Sequence, residues 1–175
     1  MKLKFGRLRS VSEALAPWIL KSLARAPPGF LASGEVPVLT WVPLGKARRR
    51  ARGYDQAEAL ARSVATLARL PVRPLLARVV ETAPQARRHG AQRKLALRGA
   101  FEARLQVPER VLLVDDVLTS GATAAECARV LLSSGAHEVG VLTAARSLGN
   151  GVPARCYNPR VLLPGSVVAR ETSSR

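Results

Sequence analysis

Apolar positions along the chain fall into short continuous runs that alternate with helical stripes. Val111-Leu-Leu-Val114 is an unbroken apolar run, the pattern of a strand buried on both faces of a parallel sheet. Val36 to Val42 is a second such run, ended by Pro43 and Gly45, and Glu138 to Ala145 a third. Ser10-Val-Ser-Glu13 has capping-box spacing and opens a helical stretch with Val11, Leu15, Trp18, Ile19 and Leu23 at matching intervals; Pro27-Pro28-Gly29 closes it. Asp55, with Glu58 three residues on, caps a second helix, whose apolar face is Ala57, Leu60, Ala61, Val64, Leu67 and Ala68. Gly121 to Ser134 is a third helix, ended by Gly135. Pro71 and Pro74 bracket a weak strand running to about Val80. Two stretches carry no such periodicity. Lys46 to Arg52 is a basic segment before Gly53, and residues 81–99 hold Arg87, Arg88, His89, Arg93, Lys94 and Arg98 with few large apolar residues. The latter reads as a mobile, charged excursion with one short helical turn. The Pro- and Gly-rich tail after Gly149 predicts no element.

Alternating strands and helices predict an α/β protein with a three-layer, mainly parallel sheet flanked by helices. Crossovers should be right-handed, and a ligand should sit beyond the carboxyl ends of the strands. With 175 residues the chain is read as one domain with its own core.

Charge and composition narrow the partners. There are 28 basic and 12 acidic residues, a net charge of +16, which favours nucleic acid or phosphorylated ligands; a solvated basic surface is the competing explanation. No stretch approaches the roughly 18 consecutive apolar residues of a membrane span, and no apolar run follows the basic N-terminus as a signal peptide requires. The two cysteines, Cys127 and Cys156, are far apart, which argues against a disulfide framework or a zinc site. A cytoplasmic protein with reduced thiols is expected.

The chemistry concentrates in Val111-Leu-Leu-Val-Asp-Asp-Val-Leu-Thr-Ser-Gly-Ala-Thr123. A buried strand delivers adjacent carboxylates, Asp115 and Asp116, to its carboxyl end, and a turn with Thr119, Ser120, Gly121, Ala122 and Thr123 leads into a helix. A helix start offers unpaired N–H groups and a partial positive charge, and therefore suits a phosphate. Carboxylates beside it suit sugar hydroxyls, which donate to acidic oxygens. Helix capping accounts for one Asp or Thr; it does not account for two acids, three hydroxyls and a glycine in one turn.

This motif resembles the signature of the type I phosphoribosyltransferases. The resemblance implies that Asp115 and Asp116 hold the ribose 2- and 3-hydroxyls of phosphoribosyl pyrophosphate and that residues 119–123 hold its 5-phosphate. The branch handling hypoxanthine and guanine has an acid where this chain has Thr119, which argues against that branch. A narrower likeness spans most of the chain. Lys4-Phe5-Gly6, Val42-Pro43-Leu44, Arg52-Gly53-Tyr54-Asp55-Gln56-Ala57, Gln85, Arg93 and Gly99-Ala100-Phe101 are similar to the ComF competence-protein group. It implies a pyrophosphate loop at Pro43, Leu44, Gly45 and Lys46, with Arg52 and Gln56 beside it, and a flexible loop over about 81–99 in which Arg87 and Arg88 are candidate catalytic groups. In this fold the pyrophosphate loop often holds a cis non-proline peptide. The chain departs from the group at Asp55 and Ala96, where Asn is usual, and lacks the N-terminal four-cysteine zinc module.

Two functions follow. One is phosphoribosyl transfer to an unidentified nitrogen acceptor, with Mg²⁺ held mainly by ligand oxygens and water and with Asp115 and Asp116 as its candidate protein contacts. The other is a ComF-type role in DNA uptake with the competence machinery, binding a phosphorylated ligand or single-stranded DNA without transfer. The acceptor should lie under a small hood from roughly residues 1–35 and 146–175, and the resemblance suggests a homodimer. Trp41 is read as core packing, Cys127 as a packed helix residue, and His89 and His137 as surface residues.

Overall fold

The computed structural model describes residues 2–23, 36–80, 97–146 and 166–170. In chain order these form α1 (Lys2–Leu23), β1 (Val38–Trp41), α2 (Lys46–Arg52), α3 (Gln56–Ala68), β2 (Leu76–Arg78), β3 (Phe101–Ala103), β4 (Arg110–Leu118), α4 (Ala122–Ser133), β5 (Glu138–Arg146) and β6 (Ser166–Arg170). The main sheet has the order β1-β4-β5-β6, with β1, β4 and β5 parallel and β6 antiparallel to β5. β2 and β3 form a separate antiparallel ribbon in which Arg78 faces Phe101.

The unbroken apolar run of β4 has its reason in the layers. Side chains alternate across a strand, so Val111 and Leu113 enter one core and Leu112 and Val114 the other. The first core packs Val111, Leu113, Val139 and Val141 against Cys127, Val130 and Leu131 of α4 and against Leu76 and Phe101 of the ribbon. The second packs Leu39, Trp41, Leu112, Val114 and Leu142 against Leu60, Ala61 and Val64 of α3 and Ala16 and Ile19 of α1. Both faces of the sheet are therefore covered, and the architecture is the expected three-layer α/β fold. Leu112, fully buried, anchors it: truncation to Ala would cost about 2–5 kcal/mol.

Local chemistry explains several boundaries. α3 begins where Asp55 accepts a hydrogen bond from the Glu58 backbone N–H, as its spacing predicts. α4 ends ahead of Gly135, whose φ of 115° suits glycine.

Other boundaries differ. α1 starts at Lys2, ahead of Ser10, so the predicted capping box lies inside a helix. Among its described side chains Ser12, Ala16 and Ile19 are buried, whereas Val11, Leu15 and Trp18 are exposed, Trp18 to 69%. The helix turns small residues toward its neighbours, and close helix packing overrides the simple apolar stripe. α1 packs beside α3 in the outer layer, with further contacts to β5. The basic segment 46–52 is a short helix with no buried residue, closed by Gly53 at φ 79°. Lacking an apolar face, it has no periodicity to betray it. The stretch between Pro71 and Pro74 contributes a bridge from Val72 to Leu39, and β2 starts only after Pro74. β3 and β6 had no sequence forecast. Among the described residues no helix is long and apolar enough to cross a membrane.

Candidate functional site at the strand carboxyl ends

β1 and β4 run side by side with Trp41 opposite Val114, and the Val42 N–H donates to the Val114 carbonyl at 2.9 Å. This register sets residues 43–45, leaving β1, near the level of Asp115 and Asp116, while β4 runs on to Leu118 before its own turn at 119–121. Asp115 and Asp116 lie within the last stretch of β4, because the strand continues to Leu118. Asp115 still pairs with Thr143 of β5. Each carboxylate is set by the next backbone amide: Asp116 N–H donates to Asp115 Oδ1 at 3.0 Å and Val117 N–H to Asp116 Oδ1 at 2.8 Å. Burial, reinforced by the neighbouring charge of Asp116, pushes the Asp115 carboxyl up to about 7. A carboxylate poised that way gains when a ligand's hydroxyls donate to it.

The turn after β4 leaves Thr119 and Ser120 exposed and Thr123 half-buried. Gly121 is the N-cap of α4 at φ 73°, with no side-chain cap; a Cβ there would meet only Leu118 Cδ1, at 3.7 Å, so φ rather than space demands glycine. Apart from a long 3.5 Å contact from Ala122 N–H to Ser120 Oγ, the opening turn of a 12-residue helix carries no described side-chain acceptor. Such a turn can bind an anion oxygen.

The turn after β1 is different. Pro43 and Leu44 are half-buried, Gly45 is buried, and Lys46 opens α2. Leu44 N–H already donates to Asp55 Oδ2 at 2.9 Å. Asp55 thus ties the turn to α3 as well as capping that helix, a second role its sequence position did not announce. Burial raises its carboxyl above the usual range, against the lowering effect of the Leu44 and Glu58 amides. Arg52 donates to Gln56 Oε1 at 2.9 Å, so the two residues singled out beside this turn hold each other. Arg49 pairs with Glu58 at 3.1 Å. The cis peptide expected in this turn is absent: all described peptide bonds are trans. Arg87, Arg88, His89 and Cys156 lie outside the described residues, as does most of the 81–99 segment.

Further residues fall into place around the site. Glu126, on α4, accepts a hydrogen bond from Gly99 N–H at 3.2 Å and pairs with Arg129 at 2.8 Å, tying the approach to β3 to the helix behind the 119–123 turn. The Arg129 hydrogen bond holds the Glu126 carboxyl below the usual range. Only its Glu–Arg spacing was visible in sequence. Trp41 is a core residue, with the Arg62 guanidinium 5.5 Å from its ring centre. Cys127 is fully buried and burial raises its thiol, which fits packing and not nucleophilic attack. His137 is exposed, with Nδ1 3.5 Å from Glu109.

Several known proteins are similar to the chain. The chain is 34% identical over 153 residues to DNA utilization protein YhgH of Salmonella typhimurium, covering 84% of this chain and 65% of that protein. It is 33% identical over 111 residues to competence protein F of Haemophilus influenzae, covering 61% of this chain and 48% of that one. Thus it spans just under two thirds of the YhgH relative's length. Among solved structures, the allosteric regulatory enzyme of purine biosynthesis superposes with a TM-score of 0.50 and 21% identity, over 78% of this chain and 26% of the other. No protein-family model matches the chain.

Proposed function

We propose that the chain, which has the type I phosphoribosyltransferase fold and relatives named for DNA utilization and competence, is a ComF-like phosphoribosyltransferase that binds phosphoribosyl pyrophosphate and transfers the phosphoribosyl group to a nitrogen acceptor. The observation that carries this reading is the uncapped opening turn of α4 beside the Asp115–Asp116 pair. Amide hydrogens of residues 122–124 and the hydroxyls of Thr119, Ser120 and Thr123 suit the 5-phosphate. Asp115 and Asp116 suit the ribose hydroxyls. Transfer would then displace pyrophosphate from C1 by a nitrogen nucleophile through a transition state with oxocarbenium character.

Mg²⁺ belongs with this reading. The two adjacent carboxylates are hard oxygen donors that fit it. Among the described residues no group of three His, Cys, Asp or Glu side chains could hold a metal alone. The ion would be shared by Asp115 or Asp116, water and the ligand's phosphate oxygens, and would neutralise charge on the leaving group. Arg52 and the Lys46 end of α2 are proposed to meet that group from the β1 side.

Thermal shift with phosphoribosyl pyrophosphate and Mg²⁺ tests the binding step, and pyrophosphate release with candidate bases or amines tests transfer. No stabilisation by the ligand would refute the proposal. The relatives' names motivate a second reading, a phosphate-binding role in DNA handling without transfer. It predicts single-strand binding whose affinity falls steeply with salt, and ligand binding without pyrophosphate release.

A further inference from the structure

We propose that Thr143, near the carboxyl end of β5, is a sugar-recognition residue. Its hydroxyl donates a hydrogen bond to the ribose hydroxyl that Asp115 accepts from, so the site selects a 5-phosphorylated ribose over a bare phosphate. The inference deepens the proposed function and rests on residues 119–123 and Asp115 holding a ribose 5-phosphate.

β5 runs parallel beside β4, and Thr143 is level with Asp115. Both side chains stand on the α4 face of the sheet. Leu142 and Ala144, the neighbours of Thr143 in β5, pack on the opposite face, while Val139 and Val141 share their core with α4. Asp115 follows Val114, which also faces away from α4, and the Asp115 charge reaches Cys127 of α4. Adjacent strands are about 4.8 Å apart. A sugar oxygen bonded to the Asp115 carboxylate is therefore within reach of a hydroxyl on the next strand. α4, whose opening turn suits the phosphate, covers this same face.

A sugar hydroxyl both donates and accepts, whereas an ionised carboxylate only accepts. Two adjacent acids can take the hydrogen of a ribose hydroxyl, but they leave its lone pairs without a partner. Three side chains flank Asp115 on this face. Val42, one place beyond Trp41 and so level with Asp115, comes from β1 and is apolar. Cys127, from α4, is fully buried. Thr143, from β5, is half-buried, and its hydroxyl makes no hydrogen bond to another described group. Strand preference accounts for a β-branched residue at this position. Val meets that preference equally well; the hydroxyl adds a donor where the acids supply none.

The test is calorimetric titration at pH 8 and one Mg²⁺ concentration with ribose 5-phosphate and with inorganic phosphate. Wild-type protein is compared with Thr143→Val and Thr143→Ser. Val keeps the β-branched shape and removes the hydroxyl, and Ser keeps the hydroxyl. We expect wild-type protein to bind ribose 5-phosphate more tightly than phosphate. Thr143→Val should bind ribose 5-phosphate about tenfold more weakly, with phosphate changed by less than about twofold. Thr143→Ser should stay within about threefold of wild type for both ligands. Thr143→Ala removes the same hydroxyl and should behave as Val does, which covers the case in which Val disturbs folding. A variant without the hydroxyl that binds ribose 5-phosphate as wild type does, or that loses affinity for both ligands alike, overturns the role of Thr143 while the phosphate site stands. If wild-type protein binds neither ligand, the phosphate-site reading itself falls and this inference with it.

Discussion

The turns leaving β1 and β4 both lie at the carboxyl end of the sheet, and each leads to a helix that opens on a glycine without a side-chain cap, yet they differ in the internal partners of their backbone amides. After β1, the α3 N-terminus and the Leu44 amide share one internal carboxylate, Asp55. After β4, the α4 N-terminus opens on a left-handed glycine without a side-chain cap. In the first turn the Leu44 amide is satisfied internally, although α2 itself opens on Gly45 without a side-chain cap. The second leaves its donors to whatever anion arrives. Unsatisfied helix-end amides are a cost that proteins usually cover, so an end left open beside two carboxylates fits the phosphate site proposed there.

The largest effect expected from this contrast is in pH dependence. The Asp115 carboxyl, near 3.8 when unfolded and pushed up to about 7 when folded, makes the native state bind the extra proton between those values. Stability should therefore be highest near pH 4 and fall as pH rises through 7, by on the order of 3 kcal/mol. Asp55, also raised, adds to the same slope. Chemical denaturation across pH 4–8 measures it, and Asp115→Asn should flatten most of it.

Ligand binding gives the next effect. Phosphoribosyl pyrophosphate at a hundred times its dissociation constant should stabilise the protein by about 2.7 kcal/mol, roughly 5–10 °C in melting temperature. The double change Asp115→Asn with Asp116→Asn should abolish that shift and keep the circular dichroism spectrum. A retained shift would place the ligand elsewhere.

Removing the internal acceptor comes third. Asp55→Ala should destabilise the fold by about 1–2 kcal/mol, since it uncaps α3 and leaves the Leu44 amide unpaired. At the open turn, Gly121→Ala should cost only about 1 kcal/mol, from forcing a side chain into left-handed backbone. Its effect on ligand affinity should exceed its effect on melting temperature. If the two substitutions behaved alike in both measurements, the distinction between a closed and an open turn would be lost.

Parts of this contrast were legible beforehand. The open turn was readable because its elements are contiguous: strand, acids, hydroxyls, glycine and helix follow one another over residues 111–123. Asp55 was readable as a cap, since Glu58 lies three residues on. Its hold on Leu44, eleven positions away, was not, because no local pattern encodes that contact. The same holds for Glu126 and Gly99, which are 27 positions apart. α1 shows the limit most clearly. Its stripe of Val11, Leu15, Trp18, Ile19 and Leu23 suggested a buried face; among the described side chains the structure buries Ile19 together with Ser12 and Ala16, and leaves Val11, Leu15 and Trp18 exposed.

By itself the sequence determined the layered α/β architecture and the strand–turn–helix order over residues 111–134, because strand burial and helix boundaries are written in residues close together along the chain. Only the tertiary structure decided which face of α1 meets α3, that the segment 46–52 is a helix, and that Asp55 accepts from the Leu44 amide. Those outcomes depend on the register of β1 against β4 and on helix-to-helix packing, which join residues far apart in the chain and leave no period for a sequence to display.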